Sequence, residues 1–79
     1  MKLFLLEQNQ NSDYDTYDSC VVVAIDAIDA VQITPNRQGW GDTYSAWCAY
    51  PSDVTWTYIG EASADLVEGS VICASFNAG

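Results

Sequence analysis

The chain has no histidine, and of its 79 residues only Lys2 and Arg37 are basic. The first absence removes Ser-His-Asp and Cys-His catalysis, which need an imidazole to move the proton. It also leaves any zinc set short of ligands, since no two cysteines form a CxxC pair. The scarcity of Lys and Arg argues against direct binding to nucleic acid, where cations must neutralise phosphates, and against docking on anionic membranes. No apolar run reaches transmembrane length, and no GxGxxG or P-loop sequence is present. At the N-terminus, Glu7 and Gln8 end MKLFLL before a signal peptide's apolar region would be complete, so a cytoplasmic protein is expected. The three cysteines, Cys20, Cys48 and Cys73, are odd in number, widely spaced and set in apolar stretches. They read as buried, reduced thiols acting as small hydrophobes.

What is present is core material. Apolar residues make up 49% of the chain and include Trp40, Trp47 and Trp56, too much for a disordered acidic tail. A chain this short buries only about 60% of its unfolded surface, enough for one core, so residues 1–79 are read as one domain. Paired carboxylates could support glycosidase work only inside a cleft of some hundreds of Å³, which a single-core domain of this size seldom provides. The expectation is a protein that is not an enzyme and carries no cofactor.

Along the chain, Lys2 to Leu6 reads as a first strand, followed by the polar loop EQNQNSDYD. Ser19 to Ile25, with three successive valines, reads as a central strand covered on both faces. From Asp26 to Thr34 apolar residues fall at helical spacing, Asp26 stands where a helix cap belongs, Asp29 where a capping-box acid would sit, and Pro35 supplies the stop. The next segment, rich in Gly and aromatics, reads as a loop with room for a short strand at Ala46 to Ala49. Val54 to Ile59 alternates Val54, Trp56 and Tyr58 against Thr55 and Thr57, the pattern of a strand with one covered face. Gly60 to Ser70 reads as a loop with a possible helical turn at Ala64 to Val67, and Val71 to Phe76 as the last strand. The predicted fold is α+β, a mostly antiparallel sheet in the sequence order β-β-α-β-β with one short helix on one face.

Eleven Asp and Glu against two basic residues give a formal net charge of -9. The excess raises solubility, costs self-repulsion and steers cationic partners. Eight acids lie in two windows: Asp13, Asp15, Asp18, Asp26 and Asp29, then Glu61, Asp65 and Glu68. Surface scaling gives a chain of this mass roughly 4,700 Å², or about 430 Å² per evenly scattered acid. Duplex DNA carries a charge per about 110 Å², so imitation of DNA requires the windows to meet, at one end of the sheet. Tyr14 and Tyr17 would add contact area. A calcium loop beginning at Asp13 fails, because Tyr17, Asp18 and Ala24 stand where an oxygen ligand, a glycine and a bidentate Glu belong.

MKLFLLEQNQN, YDTYDSCVV, PSDV, YIGEA and the terminal ASFNAG together resemble a family of short acidic proteins carried by phages and other mobile elements, which reaches anti-CRISPR inhibitors of type I-C interference. The resemblance implies a protein in the bacterial host cytoplasm that occupies a basic, DNA-binding surface on a subunit of the crRNA-guided Cascade complex and blocks target DNA. AIDAIDAVQI is more apolar than the charged helix of that family. The expected partner is therefore a basic protein surface, with Asp13, Tyr14, Asp15, Tyr17, Asp18, Asp26, Asp29, Glu61, Asp65 and Glu68 as contacts; the sequence leaves the oligomeric state open, with a monomer favoured. The alternative, from a different class, is a structural or assembly module of a phage particle whose acids serve solubility alone.

Overall fold

The computed structural model describes residues 1–12, 14–37, 40 and 46–77. Its elements, in chain order, are β1 (Lys2–Glu7), β2 (Thr16–Ala24), α1 (Ala27–Ala30), a 3-10 turn (Pro51–Asp53), β3 (Thr55–Glu61) and β4 (Val71–Asn77). The strands form one sheet in the order β3-β1-β2-β4, with each neighbouring pair antiparallel. The α+β class and the β-β-α-β-β order agree with the sequence pattern.

Register decides what is buried. Phe4 lies opposite Val22 and Leu6 opposite Cys20, so these four share one face of the pleat. Ala30 from α1 and Trp47, Cys48 and Val54 from the segment before β3 pack onto that face. On the other face Leu3, Leu5 and Val21 are only half-buried. β2 is thus central; on that other face Val23 is fully buried while Val21 is half-buried, so the cover there is partial.

The sheet differs from the sequence pattern in its extents. β1 and β4 each gain one residue, β2 starts three residues earlier, and Ile25 stands outside it, exposed. α1 is one turn long rather than running from Asp26 to Thr34, although the Gln32 and Ile33 N–H groups still bond back to Asp29 and Ala30 at 3.2 and 3.0 Å. Residues 46–49 form turn and bend where a strand had room. Residues 64–67 form a turn in which the Leu66 N–H donates to the Ser63 carbonyl at 3.0 Å.

Two local devices fix the ends of the strands. Gln8 is buried, and its side-chain amide is fully used: Nε2 donates to the Asn11 and Tyr17 carbonyls, each at 2.8 Å, while Oε1 accepts from the Gln10 and Asn11 N–H groups, each at 2.9 Å. At the opposite end β3 bulges, because Phe4 pairs with Tyr58 but Leu3 with Gly60. Gly60 sits there at φ +149 with nothing near its missing Cβ. Glycine is therefore required by the backbone angle rather than by crowding.

The cysteines divide. Cys20 and Cys48 are buried as expected, whereas Cys73 is exposed, since it pairs with Val21 on an edge strand of the less covered face.

Asp26 caps α1: its extended backbone precedes the helix, and its Oδ1 accepts from the Asp29 N–H at 2.9 Å. Asp26→Ala is expected to lower stability by about 0.5–2 kcal/mol, and Asp26→Asn by much less, because the amide oxygen still accepts. Denaturant midpoints of the two variants check this. An alanine variant as stable as the parent would mean the cap contributes nothing.

Candidate functional site

Strand direction sorts the acids. β1 runs from Lys2 to Glu7 and every neighbouring pair is antiparallel, so α1 and the β3–β4 loop lie at the Lys2 end of the sheet. Asp26, Asp29, Glu61, Asp65 and Glu68 therefore share that end. The loop after β1 lies at the other, which places Tyr14, Asp15 and Asp18 there with Glu7. The eight steps along the nine residues of β2, at about 3.3 Å each, separate the two ends by about 26 Å. The sequence windows thus do not meet as expected: the first is split, and its Asp26 and Asp29 join the second. Asp13 lies outside the described residues.

The individual residues differ in how far they are available. At the Glu7 end Tyr14 is 75% exposed, and Asp15 takes φ 62 as a turn residue before β2. Tyr17 packs its ring on Phe76, centroids 4.8 Å apart, so it serves the fold first. Asp18 is exposed and accepts from the Ser19 hydroxyl at 3.2 Å. At the Lys2 end all five acids are exposed. The Ser63 hydroxyl donates to Asp65 Oδ1, which together with the Asp65 backbone N–H holds that carboxyl below its ordinary value. Asp65 stays charged.

Two depressions accompany the two ends. The larger, about 530 Å³, is lined mainly by polar groups, among them Glu7, Gln8, Asp18, Ser19, Thr55 and Ser75. Its lining is drawn from all four strands at the Glu7 end, and it is an open depression rather than a cleft that encloses a substrate. Glu7 and Asp18 on its rim are both exposed.

The smaller depression, about 260 Å³, lies at the Lys2 end between α1 and β3 and is lined by Lys2, Phe4, Asp26, Ala27, Trp56 and Tyr58. Phe4 is its buried floor. Trp56 and Tyr58 meet Phe4 edge-on, with centroids at 5.9 and 6.0 Å, and remain 50% and 48% exposed. The Tyr58 hydroxyl donates to Glu61 Oε2 at 2.6 Å, which fixes the ring and raises the tyrosine pKa above its ordinary value. Sequence alternation put Trp56 and Tyr58 on a covered face. The cover on this face, α1 with Trp47, Cys48 and Val54, leaves both rings half exposed.

Among the described residues, no group of three or more Cys, Asp or Glu converges to hold a metal ion. No helix among them is long and apolar enough to cross a membrane. No protein-family model, curated protein or solved structure matches the chain.

Proposed function

We propose that this is a non-catalytic inhibitor protein that binds a basic, nucleic-acid-binding protein surface, that of a CRISPR effector of the Cascade type, and blocks access of target DNA. One observation carries the reading: five carboxylates gather at one end of the sheet beside two half-exposed aromatic rings. Carboxylates steer and orient a cationic partner, while exposed Trp and Tyr supply the contact area on which interface energy concentrates.

Charge density alone is not the device. An accessible surface of 4705 Å² shared by eleven acids gives about 430 Å² each, against about 110 Å² for duplex DNA. The aromatic rings have to supply what the charges do not.

The test compares the two ends. One variant carries Asp26→Asn, Glu61→Gln, Asp65→Asn and Glu68→Gln; the other carries Glu7→Gln, Asp15→Asn and Asp18→Asn. The first is expected to lose competition with duplex DNA for the purified effector, and the second to keep most of it. Binding by the parent should also weaken as salt rises. If parent protein and DNA occupy the effector together, the inhibitor reading fails.

A second reading has its own support. Half-buried Leu3, Leu5 and Val21 on the less covered sheet face favour an assembly module of a phage particle, whose apolar contact would change little with salt.

A further inference from the structure

The depression between α1 and β3 differs from the rest of the acidic Lys2 end in being walled by rings. Its volume of about 260 Å³ falls below the range of roughly 300–1,000 Å³ usual for free small molecules. It suits one side chain. Two of its walls are aromatic rings left half exposed, and a third is Asp26, whose Oδ1 takes one hydrogen bond from the Asp29 N–H. A carboxylate offers about four lone-pair sites, so most of its accepting capacity remains. Glu61, which accepts from the hydroxyl of the lining residue Tyr58, brings a second negative charge next to that wall.

We propose that this pocket receives the side chain of an arginine presented by the partner protein. The inference rests on the reading that the partner's surface is basic. A guanidinium is planar and weakly hydrated, so it lies on the indole or phenol face while its fork of N–H groups bonds a carboxylate. A lysine ammonium keeps more of its water and cannot stack. The one cation on the pocket wall is Lys2, whose ammonium donates to the Ile25 carbonyl at 3.1 Å. Its charge opposes a second cation, and this gives the proposal a distinctive consequence: removing it improves binding.

The test titrates N-acetyl-Gly-Arg-Gly-amide into the full-length, ¹⁵N-labelled protein at fixed ionic strength, with the citrulline and lysine peptides in parallel. Citrulline keeps the shape of arginine without its charge. The arginine peptide is expected to give a saturable shift of the Trp56 indole N–H resonance, with the citrulline peptide weaker by about fivefold or more. Asp26→Asn, which retains the cap, should weaken the arginine peptide about two- to fivefold. Lys2→Gln should strengthen it, and Trp56→Leu or, where that variant does not fold, Tyr58→Leu should weaken it at least as much as Asp26→Asn. Equal binding of the citrulline peptide, tighter binding of the lysine peptide, or a Trp56 resonance that does not move would each overturn the proposal. If the arginine peptide fails while the charge variant at the Lys2 end still loses the effector, the pocket is wrong and the functional reading stands. If the peptide binds while neither charge variant affects competition, the pocket stands and the functional reading falls.

Discussion

Trp47→Ala is expected to remove about 3–5 kcal/mol of stability, from a domain whose total, at about 0.05–0.15 kcal/mol per residue, is roughly 4–12 kcal/mol. Trp47 is the largest fully buried side chain and belongs to the cluster formed with Phe4, Leu6 and Val22. Its described neighbours include strand residues fixed by the sheet ladder, which limits how far the space left by alanine can collapse. Among the described residues the indole N–H meets no acceptor, and an unpaired buried donor costs about 1–3 kcal/mol. Trp47→Phe removes that donor as well as volume, so it should cost much less than the alanine change. Urea denaturation of both variants checks this. An alanine variant within about 1 kcal/mol of the parent would mean that Trp47 does not anchor the core.

Alkaline pH should unfold the protein through Cys20. Burial, with a smaller contribution from the neighbouring Cys73, pushes its thiol from the ordinary 9.0 to about 12. Above pH 9 the unfolded chain releases a proton that the folded chain still holds, so stability is intact below that pH and falls as pH rises towards the folded value. At about 1.4 kcal/mol per pH unit, the loss over the whole interval is of the order of 4 kcal/mol. Cys48 acts in the same direction, raised to about 11 by burial and by the charge of Asp53. Unfolding free energies measured from about pH 8 to about pH 11 should be flat at first and then decline. Cys20→Ala should decline less steeply. Equal slopes for parent and variant would assign the alkaline loss to other groups.

Periodicity made the sheet legible, and its limits follow from what periodicity cannot carry. Three valines in a row and the alternation Val54, Trp56, Tyr58 located β2 and β3 within a few residues, because strand burial repeats every second residue. The same alternation cannot say how far a covering layer extends, so Trp56 and Tyr58 passed for core. The helix was overextended because Gln32 and Ile33 continue its turn-like bonding without completing a second α-helical turn. Grouping of acids failed for a topological reason: Asp18 and Asp26 are near in sequence, yet the rest of β2, from Ser19 to Ala24, carries the chain from one end of the sheet to the other between them. Cys73 resembled Cys20 in its apolar neighbours, and only the strand order put it on an edge.

That edge has a colloidal consequence. β4, VICASFN, has no charge, no proline and no bulky basic residue along its length, although such edges ordinarily need one of these to prevent strand-to-strand association. The repulsion between whole molecules, each at -9, takes over the task that edge lysines perform elsewhere. Repulsion of that kind vanishes near the isoelectric point of about 4.1, and it shortens in range as salt is added. Acidification towards that point is therefore expected to promote association through β4, which light scattering followed against pH would detect.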